Sequence, residues 1–168
     1  AVSNQSELTI NGLGGDDRFT FGKNAAKGED SSLEISNLDG SQVYAFAEGA
    51  ASDGGRININ TGDGDNSFGF TGLAAANGGS ISLKSGAGNQ YLKSSNGWNG
   101  GGVKGGSIAA DFGSGDHIID LSVEHGFASI SLGDGNHDLG LGVYNSSASI
   151  DLGNGDHELR SLYGSVFG

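Results

Sequence analysis

His117, His137 and His157 recur at a 20-residue step, each two places after the second glycine of a Gly-x-Gly turn. Imidazoles at equivalent places of a stacked repeat could bind zinc or nickel. Earlier turns hold Asp17, Gln42, Asn66 and Gln90 at the same place, so a polar ladder at a corner, on its core side, is the simpler account. The turns also carry Asp63, Asp65, Asp134 and Asp156. Those carboxylates could collect a hard cation such as calcium, or serve turn chemistry alone, because Asp and Asn tolerate a left-handed backbone. No other cofactor is implied. The chain has no cysteine and no Gly-x-Ser-x-Gly elbow. Its glycine-rich turns lead into strands and lack the Lys-Ser/Thr of a phosphate loop. The residue set argues against an enzyme. Trp98, in Ser95-Asn-Gly-Trp-Asn-Gly-Gly-Gly102, could stack on a sugar or anchor its loop, and His125 lies in a loop without a signal of its own.

The elements that must position these residues are set by a repeat. The second turn glycine falls at Gly15, Gly40, Gly64, Gly88, Gly115, Gly135 and Gly155, in steps of 20 to 27 residues. Seven places before it stand Leu8, Leu33, Ile57, Ile81, Ile108, Ala128 and Ala148; five before stand Ile10, Ile35, Ile59, Leu83, Ala110, Ile130 and Ile150. Four after stand Phe19, Tyr44, Phe68, Leu92, Ile119, Leu139 and Leu159; six after stand Phe21, Phe46, Phe70, Ser94, Leu121 and Leu141, with a slip to Leu162 in the last copy. A spacing of two within each block predicts strands with one buried face, and no stretch shows helical periodicity. Because equivalent positions carry like residues, each strand is expected to stack on its counterpart in the next repeat, not on its partner across a hairpin. The place directly after the second glycine reads Asp16, Ser41, Asp65, Asn89, Asp116, Asn136 and Asp156. Interposed Asn separates carboxylates that would otherwise repel at one-rung spacing and allows an amide ladder.

The 168 residues include 34 glycines and no proline, cysteine or methionine, and the net charge is −12 with eight Lys plus Arg. That balance argues against nucleic acid and anionic membranes as partners. No apolar run approaches the length that spans a bilayer as a helix. The opening Ala1-Val2-Ser3 is what a cleaved signal peptide, or the trimming of a longer chain, leaves; on the first account the chain is expected to be secreted, extracellular or at the cell surface.

Segments such as Gly133-Asp-Gly-Asn-His-Asp-Leu139 resemble the calcium-binding RTX repeats, which implies calcium at the Asp two places after the second glycine; only Asp17 keeps it here. The strand, Gly-x-Gly-[Asn/Asp], strand unit, as in Ser6-Glu-Leu-Thr-Ile10 and Ser149-Ile-Asp-Leu152 with their turns, resembles the repeats of the curli fibre subunit. That resemblance implies a β-solenoid functional amyloid.

The expected fold is all-β: a single-domain, two-sheet parallel β-solenoid of seven rungs, strand, turn, strand, loop, with repeats near 7–31, 32–54, 55–78, 79–105, 106–126, 127–146 and 147–168. The expected function is structural: the subunit of an extracellular, bacterial fibre or biofilm matrix, polymerising head to tail through Leu8 and Ile10 at one edge and Leu159, Leu162 and Phe167 at the other. An RTX-like calcium-dependent adhesin or surface-layer segment and a polysaccharide-binding β-helix are the alternatives.

Overall fold

A computed structural model describes residues 1–3, 6–12, 14–36, 39–94 and 102–163. Trp98 and Phe167 lie outside the described residues. The strands, numbered in chain order, form two parallel sheets. One has seven strands: β2 (Glu7–Asn11), β5 (Ser32–Ser36), β8 (Arg56–Asn60), β11 (Ser80–Ser85), β14 (Ser107–Phe112), β16 (Phe127–Leu132) and β18 (Ser147–Leu152). The other has twelve: β1 (Val2–Ser3), β3 (Arg18–Phe21), β4 (Ala26–Lys27), β6 (Val43–Phe46), β7 (Ala51–Ser52), β9 (Asn66–Phe70), β10 (Leu73–Ala76), β12 (Gln90–Ser94), β13 (Gly102–Lys104), β15 (Ile118–Glu124), β17 (Asp138–Tyr144) and β19 (Glu158–Tyr163). Each strand pairs with its equivalent one repeat away: Ile130 with Ile150, and Leu139 with Leu159. The fold is therefore a β-solenoid. The expectation counted seven rungs; seven strands do stack in the smaller sheet, and the chain completes about six turns between the first and the last.

The larger sheet departs from the expected plan. Where the sequence pattern leaves only a loop, as at Lys23–Ser31, the chain forms a third short strand, giving the file Ala26, Ala51, Ala75, Val103 and Val123. Two arms of this sheet run side by side through the N-terminal rungs. They merge at β15, whose first half pairs with β12 and whose second half pairs with β13. From there one strand of six or seven residues per rung serves both arms. Two-residue strands such as Ala26–Lys27 and Ala51–Ser52 are too short to show alternation, so periodicity could not reveal them.

Every interior file expected from the spacing is buried in the middle rungs, including Ile35, Ile57, Ile59, Phe68, Leu92 and Ile119. The aromatic members stack as ladders: Phe19, Tyr44 and Phe68 at centroid distances of 5.3 and 5.0 Å, and Phe21 on Phe46 at 4.7 Å. A further file, three places before the turn glycine, escaped the sequence pattern because it changes character from Thr61 and Ser85 to Phe112 and Leu132. The change compensates volume. Where the third strand carries alanine, the facing strand carries Phe46 and Phe70; where Val103 and Val123 replace alanine, that strand carries Ser94 and Leu121, and Phe112 enters from the opposite sheet. Phe112 stacks on Phe68 at 5.5 Å and so continues the aromatic ladder past Leu92. Close packing at nearly constant rung volume requires trades of this kind. The last copy slips as its sequence suggests: a register shift after Gly140 pairs Leu141 with Leu162.

Phe68 has ring neighbours on both sides and no exposure, whereas Phe19 is half-buried in the first rung. Phe68→Ala should destabilise by about 3–5 kcal/mol, and Phe19→Ala by clearly less, as read from urea unfolding midpoints. Equal losses would mean that the rungs do not share one continuous core.

Candidate functional site: the Gly-x-Gly corner

The corner between the two sheets is built by glycines that nothing else can replace. Gly40, Gly64, Gly88, Gly115, Gly135 and Gly155 have φ between +130° and +153°, and a Cβ on any of them would stand 2.1–2.3 Å from the carbonyl oxygen of the corresponding glycine one rung earlier. Gly15 shares the conformation, at φ +131°, but a Cβ there would meet nothing within 4 Å.

Two sets of polar side chains line this corner, and they point opposite ways along the rod. On the outside, each Asp or Asn accepts from a backbone N–H of the following rung. Ser41 N–H donates to Asp16 (3.0 Å), Asn89 N–H to Asp65 (2.7 Å), Asp116 N–H to Asn89 (2.8 Å), Asn136 N–H to Asp116 (2.7 Å) and Asp156 N–H to Asn136 (2.9 Å). A parallel file on the neighbouring turn residue does the same: Asp63 N–H to Asp39, Ala87 N–H to Asp63 and Asn154 N–H to Asp134. The Asn154 backbone N–H, with its side-chain amide, holds the Asp134 carboxyl below its usual range.

On the inside the sense reverses, and each side chain from Gln42 to His137 accepts from the preceding rung. Asp17 N–H donates to Gln42 Oε1 (2.9 Å), Gln42 N–H to Asn66 Oδ1 (3.0 Å), Asn66 N–H to Gln90 Oε1 (3.2 Å), Gln90 N–H to His117 Nδ1 (3.1 Å) and His117 N–H to His137 Nδ1 (3.3 Å). The file Asp17, Gln42, Asn66, Gln90, His117, His137, His157 is thus the corner ladder that the spacing implied. Gln42, Asn66, Gln90, His117 and His137 are buried, and Asp17 and His157 are partly buried.

The geometry fixes the histidine tautomer. Nε2 of His117, His137 and His157 lies 2.7, 2.8 and 3.0 Å from the carbonyls of Gly113, Gly133 and Gly153. A carbonyl only accepts, so Nε2 carries the proton and Nδ1 is the acceptor. The rings stack 4.8 Å apart, nearly parallel. Nickel or zinc would need lone pairs that are engaged in His117 and His137, whose Nδ1 atoms accept backbone N–H groups, while His157 Nδ1 is buried without a partner among the described residues. Among the described residues no group of three His, Cys, Asp or Glu side chains is placed to hold a metal ion. Asp63, Asp65 and Asp134 face turn amides, and the structure does not bring them together with Asp156.

A second ladder, at the opposite corner, went unseen in the sequence. Gly28, Asp53, Asn77, Gly105, His125 and Asn145 follow the third strands in register, and all have positive φ, between 45° and 96°. His125, without a signal of its own, is one of these left-handed residues. Beside them runs a groove of about 720 Å³ lined by Lys23, Lys27, Asp53, Asn77, Lys104 and His125. Lys27 pairs with Asp53 at 3.6 Å and Lys104 with Glu124 at 3.0 Å, which neutralises much of its charge.

The chain matches no protein-family model, no curated protein and no solved structure. No helix of the described structure is long and apolar enough to cross a membrane.

Burial lowers the His117 pKa from 6.5, opposed by the Gly113 carbonyl and reinforced by the His137 ring. Protonation at Nδ1 would also turn an acceptor into a donor facing the Gln90 N–H. The unfolded chain therefore binds a proton at His117 more readily than the folded one. The stability this residue contributes is present above the unfolded pKa of 6.5 and is lost as pH falls below it toward the lower folded value. His117→Gln, which copies the residue one rung earlier, should flatten the urea midpoint between pH 6.5 and the onset of carboxylate titration. An unchanged pH slope would mean that His117 is solvated.

Proposed function

We propose that this chain is a structural subunit of an extracellular fibre or matrix, without catalytic activity, that polymerises head to tail by stacking its last rung on the first rung of the next copy. One observation carries the reading: core files that are sealed along the rod open at both terminal rungs. Leu8 is 41% exposed while Leu33, next in its file, is 5% exposed; Leu159 is 50% exposed while Leu139 is 1% exposed. At the first rung the opening is a hollow of about 310 Å³ lined by Leu8, Ile10, Phe19, Phe21 and Leu33. Each leucine buried at a junction is worth about 1.5–3 kcal/mol, and a heterologous contact that repeats the same rise does not close. The resemblance to curli repeats supports the same reading. The opposing factor is the charge of −12 per subunit, which salt must screen.

Purified protein at 0.15 M salt should form unbranched filaments in electron micrographs, sooner as salt is raised. Light scattering that stays monomeric for days would remove the fibre reading and leave an adhesin segment in its place. Calcium separates the two further. Saturation to 100 times Kd would add about 2.7 kcal/mol to a calcium-dependent fold, a rise of about 5–10 °C in melting temperature at this size. A fibre subunit whose turn carboxylates are already bonded to amides should melt at the same temperature in calcium and in EDTA.

A further inference from the structure

We propose that the Gly-x-Gly corner sets the register and polarity of the junction between copies, so that only the Asn154–Glu158 corner of one rod docks on the Gly14–Arg18 corner of the next. The proposal rests on the head-to-tail reading and specifies its interface. The occupant of each end is therefore a second copy of this chain.

The argument comes from how the ladders end. At the last rung the outer files finish on Asn154 and Asp156; every earlier Asp or Asn of these files accepts an N–H from the following rung, and these two accept none from the described residues. The inner bonds end at His137, since His157 Nδ1 has no partner among the described residues, and the His157 N–H, the last of the file, likewise finds no described acceptor. At the first rung the complement is present. Gly14 and Asp16 supply N–H groups with no acceptor among the described residues, and the Asp17 carboxylate accepts from no described residue, although every later member of its file through His137 accepts a backbone N–H. Continuing each ladder by one step puts Asp16 N–H on Asp156, Gly14 N–H on Asn154, and His157 N–H on Asp17. The backbone follows the same rule. Gly135 N–H donates to the Asn154 carbonyl and Glu158 N–H to the His137 carbonyl, so Gly155 N–H meets the Gly14 carbonyl and Arg18 N–H the His157 carbonyl. Donors meet acceptors at every place. Two first rungs face to face, or two last rungs, would set like groups against each other, so the corner admits one direction of growth.

Two features of this register are unusual enough to test. First, Gly15 would come to lie on the Gly155 carbonyl as each later glycine lies on its predecessor, where a Cβ has 2.1–2.3 Å. In the single rod the same Cβ meets nothing within 4 Å, so Gly15→Ala there carries the backbone strain of φ +131°, which lowers the melting temperature of the subunit, but no clash. Second, the alternation Asp65, Asn89, Asp116, Asn136, Asp156 would be broken by Asp16, placing two carboxylates one rung apart. Asp156→Asn keeps the acceptor oxygen and removes that repulsion.

The experiment uses elongation of fluorescent wild-type seeds watched by microscopy. Gly15→Ala protein should retain the circular dichroism of the wild type and fail to form filaments alone. Added to wild-type seeds at low proportion it should stop growth at one end only, because its Asn154–Glu158 corner can dock and its Gly14–Arg18 corner cannot be docked upon. D156N should elongate about two- to threefold faster than D120N, an equal change of net charge on the outer face of a middle rung. Gly15→Ala protein that polymerises normally, or D156N and D120N rates that coincide, would overturn the register while wild-type filaments leave the fibre reading standing. Wild-type protein that never polymerises overturns both.

Discussion

Parallel rungs hydrogen-bonded at about 4.8 Å leave no freedom in what may follow what along the rod. A corner residue has a neighbour at that distance above and below, so any group that is not self-complementary at one-rung spacing must be absent or must alternate. The turn glycines are the clearest consequence. Positive φ is one requirement, but the approach of 2.1–2.3 Å to the previous rung's carbonyl is the stricter one, and it exists only because rungs stack in register. Gly55 and Gly79 at the opposite corner meet the same limit against the carbonyls of Ala26 and Ala51.

Polar side chains answer the same spacing by bonding to backbone, not to one another. A turn exposes N–H groups that no strand pairing satisfies, and an unpaired buried N–H is expensive. Reaching one rung along the file solves this with any acceptor of suitable length. Gln42, Asn66, Gln90 and neutral His117 are interchangeable there because each supplies one oxygen or nitrogen lone pair to the preceding rung. The histidines add a ring that stacks at the repeat distance, and their Nε2–H caps a glycine carbonyl within the same turn. Exceptions stand where a file is imperfect. The Tyr44 hydroxyl and His157 Nδ1 are buried without a partner among the described residues, and burial, with the nearby Asp17 charge, pushes the Tyr44 phenol far above its usual range.

Much of this was legible in residue spacing, and what was missed has a common cause. The two long strand files, the turn glycines, the aromatic ladders and the inner corner file all hold one residue class across several copies, so counting from a glycine exposed them. The Thr61-to-Leu132 file and the Ala26-to-Val123 file change size or polarity along the rod, because the core conserves volume per rung and not identity per position. Phe112 looks misplaced in sequence and is the residue that keeps the ladder intact after Leu92. The left-handed file from Gly28 to Asn145 was hidden differently. Glycine, Asp, Asn and His share little as side chains, and only the tolerance of positive φ unites them. The reach of Asp63, Asp65 and Asp134 toward a metal could not be judged from spacing either, since the amides that occupy them belong to the next rung.

Charge follows the rung constraint as well, and this is what allows so acidic a rod to stack at all. Lys27 with Asp53, Lys84 with Asp111, Lys104 with Glu124 and Arg160 with Asp138 each join adjacent rungs in one column. Four of the eight cations are thus spent on inter-rung pairs, each exposed and worth at most about 1 kcal/mol. The larger effect lies in the turn carboxylates. A carboxylate that accepts a backbone N–H exchanges hydration for a charge-assisted bond, and an intervening Asn, as at Asn89 and Asn136, doubles the distance to the next charge. Repulsion between rungs is thereby held below what a bare column of aspartates would generate, while the net negative surface persists on the outside. The rod can be cohesive along its axis, where polar groups are paired at one-rung spacing, and repulsive sideways, where they are not. In the proposed fibre that combination would favour long, separate filaments over lateral aggregation, and it arises from the same alternation of Asp and Asn that completes the turns.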